Sequence, residues 1–119
     1  MVYISEAHPT DGRQAPQNER DGVLFKQPTT LAERAAVAKK CLDDMKLTMP
    51  CVLDDMQDTT EKAYQAWPDR ICIVDLDGKV AFYSGPGPGG FRPREAEEAL
   101  KAMLANGGKC VPPPAVEGK

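Results

Sequence analysis

Two short apolar runs separated by an Asp-Gly turn, with a proline ahead of the first and a glycine-proline connector behind the second, limit this chain more than any other feature. Ile71 to Val74 is rich in β-branched residues, Leu76-Asp77-Gly78-Lys79 supplies the turn, and Val80 to Tyr83 is the second run. That pattern spells an antiparallel hairpin. Pro68 cannot donate to a ladder and restricts Trp67 to an extended backbone, so it marks a tight entry into the sheet. Behind the hairpin, Gly85-Pro86-Gly87-Pro88-Gly89-Gly90 is a stiff, turning connector, and Pro93 is suited to the first turn of a helix. In that helix Ala96, Ala99, Leu100, Met103 and Leu104 make one apolar face, Glu95, Glu97 and Glu98 suit its positive end, and Gly107 stops it.

The preceding residues supply elements in a consistent order. Met1 to Ser5 reads as a buried strand, and Glu6 to Thr29 as a long polar loop with one apolar island at Val23-Leu24-Phe25. Loops of that length inside a small domain tend to be functional. Thr30-Leu31-Ala32-Glu33 fits a capping box, and Leu31, Ala35, Ala38, Leu42 and Met45 follow at helical spacing. Cys51-Val52-Leu53 reads as a second buried strand, and Asp58 with Glu61 as the cap of a short helix that turns Ala63, Tyr64 and Trp67 to the core. A proline-entered hairpin with a closing helix, behind alternating strands and helices, implies an α/β, thioredoxin-like domain. It would have a mixed sheet, a C-terminal antiparallel hairpin and flanking helices. Because a parallel sheet needs a crossover before each later strand, the strand at Met1 leads us to expect a domain that lacks its first strand-helix unit. With 119 residues, 41% of them hydrophobic, one domain over 1–107 is expected, followed by a disordered proline-rich tail over 108–119.

Composition removes several functional classes. A net charge of −3, with 15 basic and 18 acidic residues interspersed, leaves no footprint for nucleic acid or an anionic membrane. With no apolar segment of spanning length and no signal-peptide pattern, the chain reads as soluble and cytoplasmic. Cys41, Cys51, Cys72 and Cys110 form no C-x-x-C; Cys51 and Cys72 fall in strands and read as small core hydrophobes. Pro86 and Pro88 interrupt the donors that a phosphate loop would need. The carboxylates of Asp54, Asp55 and Asp58, and of Asp75 and Asp77, read as strand-end and turn chemistry, so neither metal nor cofactor is expected. Glu6 and His8 differ. They stand at the carboxyl end of a parallel strand, where open α/β sheets bind ligands. A carboxylate two residues from the only histidine could orient that ring for proton transfer, or the histidine could be an ordinary loop residue. Arg70, after Trp67-Pro68-Asp69, could face an anionic substrate group or simply pair with a carboxylate.

Taken together, the stretch Val2-Tyr3-Ile4-Ser5-Glu6-Ala7-His8-Pro9-Thr10-Asp11-Gly12 resembles the iodothyronine deiodinases and their bacterial relatives. Further matches are Leu31 with Glu33-Arg34, Val52-Leu53-Asp54 with Met56, Ala63-Tyr64, Pro68, Arg70, and Gly85 to Gly90. The resemblance covers roughly residues 2 to 104. It implies a thioredoxin-like fold, a cis Trp67–Pro68 bond, and selenol- or thiol-based reductive chemistry. By the same matching, Glu6 and His8 are the proton-handling residues, while Trp67, Pro68 and Arg70 are on the substrate side. Arg13 and Pro28 depart from the family pattern, which argues against thyroid hormone as substrate. The family's selenocysteine or cysteine belongs to a strand-loop-helix unit ahead of Glu-Ala-His, and a selenocysteine codon read as a stop would give a start like Met1.

Three functions follow. The chain is the C-terminal part of a deiodinase-like or peroxiredoxin-like oxidoreductase, acting on a small molecule with a thiol reductant and able to form a homodimer. Alternatively it is a non-catalytic thioredoxin-like binding module that uses its sheet edge and long loop. Last, Cys41 or Cys110 is the nucleophile of a rearranged enzyme, although neither has an activating neighbour in sequence.

Overall fold

Residues 1–112 are described in a computed structural model, which divides into a first unit, Met1–Pro68, and a second that begins at Asp69. The architecture is mixed α/β and compatible with a thioredoxin-like fold, and its pairing is realised as two two-stranded sheets, one parallel and one antiparallel.

In the first unit, β1 (Val2–Tyr3) pairs in parallel with β2 (Val52–Leu53), Val2 opposite Val52 and Tyr3 opposite Leu53. Both strands are shorter than expected, and neither is fully buried. Val2 and Val52 stand on the same face of the pair and are exposed, Val52 by 60%. The loop expected over 6–29 contains a helix, α1 (Pro16–Asp21), with proline in its first turn and Gly22 in the left-handed conformation at its end. That proline-in, glycine-out signature was present in the sequence.

Helix α2 (Leu31–Asp44) starts as expected, Thr30 Oγ1 accepting from the Glu33 N–H at 3.2 Å. The reciprocal half of the box is displaced by one residue, since Glu33 Oε2 accepts from the N–H of Thr29 rather than of Thr30. The buried face is also rotated. Arg34 and Ala38 are buried, whereas Leu31 and Met45 are exposed.

Helix α3 (Thr59–Tyr64) is capped by different carboxylates from those expected. Asp58 has a left-handed backbone and turns its side chain away to Arg34. Asp54 accepts from the N–H groups of Thr60 and Glu61, and Asp55 from that of Thr59. That anchoring sets the rotation of a six-residue helix, and Ala63, Tyr64 and Trp67 lie exposed rather than in the core.

The second unit holds β3 (Cys72–Val74), β4 (Val80–Tyr83) and α4 (Pro93–Ala105). The hairpin has the expected sense, with Cys72 opposite Tyr83 and Ile73 opposite Phe82, and the register shifts before Val74 meets Val80. Asp75 is nearly buried, and its Oδ1 accepts from the N–H groups of Asp77 and Lys79. The other oxygen accepts from Cys110 at 2.9 Å, while Leu76 donates to the Gly108 carbonyl. These bonds hold residues 108–110, assigned to the tail from sequence, onto the hairpin turn. The rest of that expected tail, residues 113–119, lies outside the described residues. Ala96 and Met103 of α4 are buried, with Leu104 on its exposed side. In the connector a Cβ on Gly90 would stand 2.3 Å from the carbonyl carbon of Gly85, so only glycine fits.

Candidate functional site

Chain leaving β1 enters a loop that is tied down at several points. The Tyr3 hydroxyl donates to Glu6 Oε1, and Ser5 Oγ donates to Glu61 Oε2 at 2.6 Å. Burial, reinforced by the bond to Glu6, pushes the Tyr3 phenol well above its ordinary value, so Tyr3 stays a neutral donor. The Gln27 side chain bonds both main-chain groups of Glu6, accepting from its N–H at 2.9 Å and donating to its carbonyl at 3.0 Å. The Gln27 N–H donates to Asp11 Oδ1 at 2.9 Å, and that of Thr10 to the Phe25 carbonyl at 2.7 Å.

His8 sits inside this frame, its Nδ1 lying 3.1 Å from the carbonyl oxygen of Arg13. A carbonyl oxygen can only accept, so Nδ1 carries the proton in this bond, and among the described residues Nε2 has no hydrogen-bond partner. The Glu6–His8 hydrogen bond that was one of the two sequence readings is not formed among the described residues. Glu6 is engaged by Tyr3 instead, the phenol reaching back three residues from the strand.

Beside the loop a groove of about 420 Å³ is lined by residues that include Asp11, Gln27, Pro28, Ala36 and Val37. Its volume is in the range of small-molecule sites.

The other expected site residues are distributed between the units. Trp67 and Pro68 close the first unit, Trp67 48% exposed and the bond between them cis, as expected. Arg70 belongs to the second, where it donates from Nη1 to the Ser84 carbonyl at 2.7 Å and lies 4.3 Å from the centroid of the Tyr83 ring. Buried Ser84 in turn accepts the Ile71 N–H. Arg70 is thus oriented by the hairpin itself.

Sequence reasoning missed a buried cation. Arg34 is 2% exposed, donating to the carbonyls of Asp54 and Asp55 at 3.1 and 2.6 Å and to Asp58 Oδ1 at 3.0 Å. Its helical spacing of four from Ala38, on the face that is buried, was the available signal. Ligand atoms of Asp54, Asp58 and Glu61 lie within 4.8 Å of one another, but each carboxylate already has a partner: main-chain N–H groups, Arg34 and Ser5 respectively. Burial alone would push the Asp54 carboxyl up; the N–H groups of Glu61, Thr60 and Asp55 outweigh it and hold the group below the ordinary carboxylate range. The cluster is a helix cap and ion-pair partner.

No described cysteine is disulfide-bonded. Burial raises the thiols of Cys41 and Cys72, and the neighbouring Asp75 carboxylate raises that of Cys110. None of these three has the lowered pKa of an activated nucleophile. Among the described residues no helix is long and apolar enough to cross a membrane.

The family model for iodothyronine deiodinase matches residues 1–104. The chain is 38% identical over 90 residues to type II iodothyronine deiodinase of Fundulus heteroclitus, covering 74% of this chain and 34% of the relative. It is 35% identical over 103 residues to that of Neoceratodus forsteri and 32% over 103 residues to that of Homo sapiens, covering 85% of this chain and 38% and 37% of those relatives. It therefore spans little more than a third of the length of these curated relatives. From Glu-Ala-His at the strand end to the helix behind the hairpin, the match takes in every residue of the site described above, and the chain belongs to the iodothyronine deiodinase family.

Proposed function

We propose that this chain forms one wall of a selenol- or thiol-dependent reductase of the deiodinase type, with the nucleophile contributed by polypeptide outside these 119 residues. The observation that carries this reading is the loop Glu6 to Asp11. Within the family-matched residues, a protonated phenol orients Glu6, and His8 has one ring nitrogen committed to a carbonyl and the other free. Reductive removal of a halogen needs a deprotonated chalcogen that takes the halogen, and a proton donor for the carbon left with the electron pair. His8, once it has taken up a proton from solvent on Nε2, delivers that proton and returns to the form protonated on Nδ1. One thiolate of the reductant then displaces halide from the chalcogen to form a mixed chalcogen–sulfur bond, and a second thiolate attacks that sulfur, releasing the chalcogen deprotonated and the reductant as its disulfide. Reduction of a peroxide or disulfide uses the same two groups. The substrate is a small molecule held in the groove beside Pro28, and the setting is cytoplasmic.

The raised thiols of Cys41, Cys72 and Cys110 support placing the nucleophile elsewhere. The test compares the purified 119-residue chain with a form extended ahead of Met1 by a strand-helix segment bearing cysteine. The chain alone should show no thiol-dependent deiodination or peroxide reduction, and the extended form should gain it. Turnover by the chain alone that is lost in Cys41→Ser or Cys110→Ser would overturn the proposal.

A further inference from the structure

The Glu6 to Asp11 loop is fastened at both ends to one residue. The carboxamide of Gln27 takes the N–H and the carbonyl of Glu6, in the manner of a strand partner, and its main-chain N–H takes the Asp11 carboxylate. His8 lies between the two fastenings, and its acceptor, the Arg13 carbonyl, lies two residues beyond the second. A third tie, Thr10 to Phe25, comes from the same neighbouring segment.

We propose that Gln27 is a positioning residue for His8: by holding the loop at Glu6 and Asp11 it keeps the Arg13 carbonyl against Nδ1, and so fixes the tautomer in which Nε2 is the nitrogen that exchanges protons. This rests on the proton-transfer role given to His8 above. The chemistry of the clamp is specific. A carboxamide offers one donor and one acceptor in the spacing of a main-chain pair; methionine of similar length offers neither, and glutamate offers only the acceptor. Loss of the clamp frees the His8 ring from its carbonyl partner, and the proton then distributes between the nitrogens as in an unconstrained side chain.

Because His8 is the only histidine, its two imidazole nitrogens can be read without ambiguity in the uniformly ¹⁵N-labelled 119-residue chain. At a pH where the ring is neutral, the wild-type spectrum should show a protonated Nδ1 and an unprotonated Nε2. In Gln27→Met the two signals should move toward a tautomer mixture, and the Glu6 amide should exchange roughly 10–100-fold faster, as expected for losing two hydrogen bonds. Gln27→Glu, which keeps one of those bonds, should lie between. A residue that merely supports the fold would lower the melting temperature and leave the His8 pattern in place. A wild-type ring protonated on Nε2, or an unchanged His8 pattern in Gln27→Met, overturns the proposal. If Gln27→Met does not fold, an unchanged pattern in Gln27→Glu overturns it equally. None of these readouts needs turnover, so a failure of the reductase reading would be seen separately.

Discussion

Replacing Arg34 by alanine removes a fully buried cation of the first unit and leaves its three acceptors behind. Two of these are the carbonyls of Asp54 and Asp55, which no water replaces easily at a site where the arginine is 2% exposed. Hydrogen bonds from a charged donor are worth about 1.5–3 kcal/mol each, and breaking a buried ion pair by deleting one partner costs about 3–5 kcal/mol. The loss should therefore be about 3–5 kcal/mol, a large part of the roughly 5–15 kcal/mol that holds a typical domain together. Arg34→Lys should recover only part of it, because an ammonium cannot fork across two carbonyls and a carboxylate. Asp58→Asn should cost about 1 kcal/mol, since that carboxylate is 30% exposed and its partner keeps both carbonyl bonds. Urea titration followed by Trp67 fluorescence and circular dichroism measures all three. A loss under 1 kcal/mol for Arg34→Ala, or a loss for Asp58→Asn equal to it, would refute the assignment of the stabilisation to the carbonyl bonds.

Other expectations concern the second unit and the thiols. The N–H groups of Cys110 and Lys79 hold the Asp75 carboxyl below the usual carboxylate range. A depressed folded-state pKa contributes stability that is complete above the unfolded value of about 4 and is lost as pH falls through the folded one, so acid should weaken the wild type more than Asp75→Asn over that window in a pH-dependent denaturation series. Gly90→Ala should destabilise by about 1–3 kcal/mol because the added carbon meets main chain at Gly85, whereas Gly22→Ala meets no atom and carries only the strain of its left-handed backbone. Alkylation by iodoacetamide at neutral pH should be slower for folded Cys41, Cys72 and Cys110 than for the same residues in urea; a folded-state rate above the unfolded one at any of them would contradict their raised pKa values.

What could be read from the sequence depended on how local the cause was. The hairpin was legible because turn and strand residues stand next to one another, and the cis bond at Pro68 was expected from the family resemblance. Helix α2 was legible from Thr30 and its spacing, but not its rotation, because Arg34 is drawn inward by carbonyls twenty residues away. Helix α3 shows the same limit: three aspartates compete for one cap, and only the tertiary partner of Asp58 decides which of them provides it. At the site, Glu6 and His8 were singled out from their place after the first strand, and of the two readings offered for the histidine the hydrogen bond to Glu6 is not the one formed. Tyr3 and the Arg13 carbonyl are the better placed partners, and nothing in the composition of the polar loop marked Gln27 as its clamp.

The most direct measurement is the turnover of His8→Ala in the extended, nucleophile-bearing protein, with the reductant saturating and folding checked by circular dichroism. Positioned acid-base catalysis contributes roughly 10²–10⁴ in rate, so turnover should fall by that factor while the melting curve is nearly unchanged, the imidazole making one exposed bond to Arg13. Turnover by His8→Ala at the wild-type rate would contradict the proton-donor role assigned to the loop.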